Sequence, residues 1–434
     1  MFHIGWFLTG SQAQAWNLPW SGNIGRDWMR TDLYIDILRS MERACVDFVL
    51  LEDHTYVFDT YNQSMKVNLE TATSTPRLDP VLMATVLSQA TSKIGIVPTI
   101  NTFAYHPYLA ARMIGTLDQL SMGRAGWNMV TGSSDSAARN YGLDKMWEHD
   151  RRYDLGAEFI QAANALWDTW EDGAVVADLE SGVFIDHTKV HHANFEGEFF
   201  STRGPLNSGP APQGRPVLAQ AGNSPKGRSV GAAYADVIIA AEDSVENMKA
   251  FREDIRRRMV EAGRNPDDCK VLFIASPVVG IDDADVEAKI LERRRRGAQL
   301  AEARLATMSA FSDLDFGQFP IDEPLDDRAW KTNGLQNMFK EFIAAGQGQT
   351  LREAGAWMVE SYHNLGLTGT LDAVASRMKD IMDEVGGDGF LFASVITRKH
   401  VAELTDGLLP LLQRRGLIRS EYGSDQLRDN LRAF

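Results

Sequence analysis

The strongest constraint in this sequence is a rhythm. A short apolar run is followed by a stretch with apolar residues at helical spacing, and the pair recurs along most of the 434 residues. Phe2 to Thr9 reads as a strand, and Thr31 to Ala44 sets Leu33, Ile37, Leu38 and Met41 on one helical face. "VDFVLLED" and "KIGIVPTI" are further buried strands. They alternate with helices expected at Pro80 to Ala90 and Pro107 to Leu120, where Pro107 suits a helix start because its missing N–H has no partner there anyway. The alternation continues through "RAGWNMV", a helix from His149 to Trp170, "PVLAQAG", "ADVIIAAE", a helix from Val245 to Ala262 and "KVLFIASPVVG". Helices at Asp283 to Leu305, Leu371 to Val385 and Val401 to Arg415 surround a last strand, "GFLFAS". Strands joined by helical crossovers must pair in parallel. About eight such units favour an α/β fold of the (β/α)8 TIM-barrel type over an open doubly wound sheet.

Two stretches break the rhythm, near 171–214 and 306–362, and both read as insertions within one domain spanning 1–434. The first carries His187, His191 and His192 but lacks the cysteines or second histidine-rich helix of a zinc site, so no metal is expected. The second reads as a lid over the barrel mouth or an extension of a dimer interface. The run Glu292-Arg293-Arg294-Arg295-Arg296 reads as a solvated helix face or a subunit contact. The chain after Gly416 reads as surface.

A formal charge of −15 argues against a nucleic-acid surface, which needs clustered Lys and Arg to displace counterions. Cys45 and Cys269 are too few for a disulfide framework and fit a reducing compartment. The opening residues lack the basic and apolar regions of a signal peptide, and no apolar run has the length of a membrane span. A cytoplasmic protein is the expectation.

In such barrels the chemistry sits where strands end and loops begin. Asp53 and His54 follow the second strand, Asn101 and Thr102 the third, and "RAGWNMV" delivers Asn128 toward a polar loop. His149 and Tyr153 lie one turn apart on a helix, either as a plain flank or as a ligand-facing pair. In "AGNSPKG", Asn223 and Ser224 stand at a helix start. Free N–H groups and a hydroxyl at the positive end of a helix suit a phosphate, with Lys226 and Arg228 as reinforcement. An ordinary N-cap explains the same residues without a ligand. No GxSxG elbow, HExxH helix, GxxxxGK[ST] loop or dinucleotide fingerprint is present. The residues alone thus point to a phosphorylated ligand in an α/β barrel.

The stretches "LSMGRAGWNMVTG", "HDRRYDLGAEFI" and "PVLAQAGNSPKGRSVGAAYAD" also resemble the flavin-dependent monooxygenases of the bacterial-luciferase superfamily. The similarity is to the branch holding nitrilotriacetate, EDTA and dibenzothiophene-sulfone monooxygenases, and it extends over nearly the whole chain. It implies a TIM barrel that takes FMN as reduced FMNH2, with O2 as co-substrate and an NAD(P)H:flavin oxidoreductase as supplier. It implies flavin contacts at Asp53, Thr102, Asn128, His149, Tyr153, Asn223 and Ser224. Asn128, Thr102, His54 and His149 are the candidates for the chemistry, the two histidines for proton delivery because imidazole titrates near neutrality. Trp6, Trp16, Tyr56 and Phe58 are expected to face the substrate. Their aromatic character, with no cluster of Arg and Lys located near the mouth, favours an aromatic or heterocyclic substrate over a polyaminocarboxylate, cleaved at a C–S, C–N or C–halogen bond. A homodimer or homotetramer is expected. A deazaflavin-dependent dehydrogenase and a non-catalytic flavin binder are the alternatives.

Overall fold

Eight parallel strands close into a ring in the computed structural model, which describes residues 1–9, 12–324, 332, 334–394 and 396–434. They are β1 (His3–Leu8), β2 (Phe48–Leu51), β3 (Gly95–Asn101), β4 (Gly126–Val130), β5 (Val217–Ala221), β6 (Val237–Ala240), β7 (Lys270–Ala275) and β8 (Gly389–Ala393). Each strand pairs with the next, and β1 closes on β8 with Gly5 beside Leu391. This is the expected (β/α)8 architecture. The helices used below are α1 (Asp32–Arg43), α2 (Pro80–Ala90), α3 (Pro107–Leu120), α4 (His149–Trp167), α5 (Pro225–Tyr234), α6 (Val245–Glu261), α7 (Asp283–Ser312) and α8 (Leu371–Val385). No helix among the described residues is long and apolar enough to cross a membrane.

Local chemistry explains the boundaries. Asp79 caps α2 by accepting from the N–H groups of Val81 and Leu82, with Pro80 next. His106 does the same for α3 through Tyr108 N–H. Thr370 caps α8, and Gly386, at φ 69°, ends it in a left-handed turn.

Side chains alternate across the ring. Phe48, Leu50, Val97, Val217, Val237, Ile239, Leu272 and Leu391 fill the barrel, while Ile4, Trp6, Leu8 and Val49 pack outward against the helices. The interior also takes Leu427 and Leu431 from a helix at Leu427–Arg432, so the segment after Gly416 is not surface. Gly95 leaves them room, since a Cβ there would stand 2.5 Å from Leu427 Cδ1. The same segment brings Arg419 within 2.9 Å of the Asp47 carboxylate, which also holds His3 Nδ1 at 3.0 Å and the Ile4 N–H at 2.8 Å. Burial works against the charged form of Asp47, but His3 and Arg419 prevail and hold its pKa below the ordinary value.

The first interruption contains two short antiparallel pairs, Val175–Asp178 with Val183–Ile185 and Phe195–Glu196 with Ser201–Thr202. The second is more helical than expected. α7 runs on to Ser312, and helices Gln336–Gly346 and Leu351–Glu360 follow it. Leu305, Met308, Phe316, Phe339, Phe342 and Leu351 give this region an apolar core of its own. Gly355 lets the last helix approach α7 closely, because a Cβ there would meet Ala301 O at 2.5 Å.

Leu427→Ala should destabilise the protein by about 3 kcal/mol in equilibrium denaturation, the cost of a cavity in a filled interior. A change within about 0.5 kcal/mol would mean that the segment merely lies on the surface.

Candidate functional site

The interior below the mouth is apolar, whereas its upper layer turns polar. Thr99 and Asn128 stand side by side in the β3–β4 register and face the axis. Asn128 Nδ2 donates to Thr99 Oγ1 at 3.0 Å, which leaves the buried Asn128 Oδ1 with no partner. An orphaned acceptor at the rim of a barrel is an unmet hydrogen bond, and such groups call for a ligand or water. Thr102, buried nearby, directs its hydroxyl at Val130 O, 3.4 Å away.

A second cluster lies across the β4 and β5 ends. Ser224 caps α5 by accepting from Gly227 N–H at 3.0 Å, and the Tyr153 hydroxyl hydrogen-bonds to Ser224. Gly222 makes the convergence possible, since a Cβ there would fall 2.9 Å from the Tyr153 hydroxyl oxygen. His149 packs against the Tyr153 ring at 5.1 Å and meets Asp150 through Nδ1 at 2.7 Å. A helix start, two hydroxyls and backbone without Cβ atoms form a cradle suited to phosphate oxygens. Lys226 and Arg228 do not reinforce it as expected. Lys226 pairs with Asp154 at 2.5 Å, and Arg228 turns to Asn223 O at 2.9 Å and Asp254 at 3.3 Å. Asn223 is also occupied, donating to Ala241 O at 2.8 Å and to Glu242 at 3.3 Å.

A cavity of about 540 Å3 opens over the other half of the ring, above β7, β8, β1 and β2. Phe7, Phe58, Ile274 and Phe311 supply apolar walls, with His54 among them. His54 Nδ1 donates to Tyr56 O at 3.1 Å, so Nε2 carries the lone pair, and it has no partner. The ring lies 4.5 Å from Phe58. Burial, assisted by Arg77, holds its pKa well below the usual 6.5. The expectation that His54 titrates near neutrality is therefore corrected: it is a neutral acceptor, because the buried cationic form would lack both water and a counter-ion. Asp53, one residue earlier, is pushed up to about 6 by burial, with Arg77 opposing and Asp79 and Glu52 adding.

The expected substrate-facing aromatics divide. Phe58 lines the cavity. Trp6 does not: it is fully buried on the outer face of β1, its ring 5.7 Å from Phe392. Trp16 lies outside the lining and is 45% exposed, whereas Trp20 of the same loop lines it. Tyr56 sits behind Phe58, its hydroxyl donating to Ala310 O at 3.2 Å.

The sequence reading also missed a basic wall. Arg293, Arg296 and Arg304 of α7 line the cavity, so this part of the arginine run is not a solvated face. Arg295 keeps that role as an exposed residue, and it pairs at 2.7 Å with Glu292, which itself borders the cavity. The signal was present in the spacing: 293, 296, 304, 307 and 311 fall on one stripe of a helix, and Thr307 and Phe311 line the cavity too.

Known proteins share this architecture. Residues 5–389 match the family model described as luciferase-like monooxygenase. The dibenzothiophene-sulfone monooxygenase of Rhodococcus erythropolis (strain XP) is 31% identical, over 99% of this chain and 96% of that protein. Nitrilotriacetate monooxygenase component A of Aminobacter aminovorans is 32% identical, over 98% of this chain and 94% of its own. Among solved structures, a riboflavin lyase with modified FMN and riboflavin superposes with a TM-score of 0.88 at 28% identity, covering 100% of this chain and 96% of that one.

Two further carboxyls titrate near neutrality beside the mouth. Burial raises Glu242 to about 7 against the pull of Arg228, and burial with Asp243 and Glu242 raises Glu341 to about 7. A carboxyl whose folded pKa is raised adds stability below its unfolded value of 4.5 and loses it as pH rises through 7. Relative to wild type, Glu242→Gln should therefore gain stability between pH 5 and pH 8, on the order of 2 kcal/mol. Parallel pH–stability curves for the two proteins would show that Glu242 titrates normally.

Proposed function

Because the chain belongs to the luciferase-like monooxygenase family, we propose that it is the oxygenase of a two-component system, using reduced FMN and O2 to oxidise a small organic molecule. The relative named component A supports a separate partner, an NAD(P)H:flavin oxidoreductase that hands over the reduced flavin. The observation that carries the reading is the pair of unmet sites on one rim: the cradle of Gly222, Ser224 and Tyr153, and the orphaned Asn128 Oδ1. FMN has a phosphate for the first and ring N–H groups for the second.

In this reading Ser224, the Tyr153 hydroxyl and the start of α5 hold the phosphate, with His149 and Asn223 flanking it. Asn128 accepts from the ring edge, and Thr102 and Asp53 border the same rim. The bound reduced flavin supplies the oxygen activation. The chain's own share is to orient substrate and exclude water. Phe7, Phe58 and Phe311 form the dry wall against which an aromatic or heterocyclic body rests. His54, fixed as a neutral acceptor, orients a donor on that body rather than delivering a proton. Hydroxylation of the carbon bonded to S, N or halogen would give a geminal adduct that collapses to a carbonyl and releases the thiol, amine or halide with the hydroxyl proton, the second oxygen atom of O2 leaving as water.

Anaerobic titration should show reduced FMN binding to the protein, with Ser224→Ala and Tyr153→Phe each weakening it by about tenfold. With a flavin reductase and isotopically labelled O2, one labelled oxygen atom should enter the product. A protein that left the binding and the oxidation rate of reduced FMN unaffected would end the proposal.

A further inference from the structure

The cavity over β7, β8, β1 and β2 has one wall that the flavin chemistry does not use. Arg293, Arg296 and Arg304 reach it from a single stripe of α7, whose rotation is fixed by the close approach at Gly355. Other cations of the lining are neutralised by carboxylates. Arg77 lies 3.3 Å from Glu52, Lys289 lies 2.9 Å from both Asp285 and Glu403, and Lys399 also pairs with Glu403. Arg293 donates to Val359 O at 2.9 Å. Among the described residues no ion pair includes Arg296 or Arg304, and Arg304 Nε is buried without an acceptor. Burial, and then the charge of Arg304, pushes Arg296 down to about 10, with Glu292 of the same lining opposing. Two guanidinium groups turned into one cavity, neither held in an ion pair and Arg304 with no carboxylate beside it, oppose folding, and aliphatic side chains would fill the same stripe at no such cost. A chain that keeps them there presents an empty half of an ion pair.

We propose that Arg296 and Arg304 seat a carboxylate of the molecule to be oxidised, so that the substrate is an organic acid whose apolar body lies against Phe58 and Phe311. The inference rests on the monooxygenase reading above and narrows its substrate class. The planar guanidinium fork matches a carboxylate through two parallel hydrogen bonds, and a dry site strengthens them. The phosphate of FMN is the competing anion, but its cradle lies at the β4 and β5 ends, in the other half of the ring. An acid held at the outer wall, with its body among the phenylalanines, would present its middle to the barrel axis. This also revises the expectation of a purely aromatic pocket: the apolar surface is real, but it ends in charge.

The test is titration calorimetry on the full chain with nitrilotriacetate, thiodiacetate and phthalate, each beside its methyl ester. At least one acid should bind about 30-fold more tightly than its ester, and Arg296→Met/Arg304→Met should weaken that acid by about 100-fold. The double variant should bind reduced FMN as wild type does and melt at or above the wild-type temperature, since it removes unpaired buried charge. Arg304→Lys, which keeps the charge but loses the fork, should weaken the acid by about tenfold. Esters that bind as tightly as acids would overturn the inference, as would a panel in which no acid prefers wild type to the double variant. A variant that instead loses reduced FMN would assign the arginines to the flavin phosphate and overturn it equally. Failure of wild type to bind reduced FMN would count against the flavin reading alone, leaving the acid–ester comparison intact.

Discussion

Closure of the parallel ring is the constraint from which the remaining structure follows. Once Gly5 on β1 pairs beside Leu391 on β8, every strand has two neighbours and every side chain must face either the axis or the helices. The axis cannot stay empty. At one end it is filled by leucines and valines of the strands together with Leu427 and Leu431. At the other end the strands stop, and Asn128, Asp53, Ser224 and His54 are left on a shared rim although Asp53 and Ser224 lie 171 positions apart in sequence. The site is thus a by-product of topology before it is a product of side-chain chemistry.

That rim is electrostatically divided. The β4–β5 side offers hydroxyls, backbone N–H groups and a helix start. The β7–β8–β1–β2 side offers aromatic walls, neutral imidazole and the guanidinium groups of α7. Between them stand carboxyls that burial has made weak acids, Asp53 at about 6 and Glu242 and Glu341 at about 7. Groups desolvated in this way lower the stability of the folded chain, and they persist where function needs them.

How much of this could be read from the sequence depended on the kind of signal. Pro80, Pro107 and Thr370 fix their helices through covalent geometry and capping, so those boundaries were legible to the residue. The order of strands was legible because parallel strands read as apolar runs. For the same reason the face of Trp6 was not: with both sides of a strand buried, composition does not distinguish the axis from the helix layer. The arginines of α7 were misread because charge on a helix normally means water, and only the neighbouring helix at Leu351–Glu360 shows which side is shut. The titration of His54 depends on burial, which no local motif records. Leu427 and Leu431 looked like surface because the void they fill exists only after the ring has closed.

The wedge at Leu427–Arg432 has a consequence for the order in which the protein is made. Strands emerging from a ribosome can pair with their neighbours as they appear, but the ring joins residues almost four hundred positions apart, and its interior lacks two of its side chains until residue 431 is free. Until residue 431 has emerged, the barrel is an open, partly hollow sheet with unpaired edges. Any change that holds the helix at Leu427–Arg432 away from the interior would prolong that exposure.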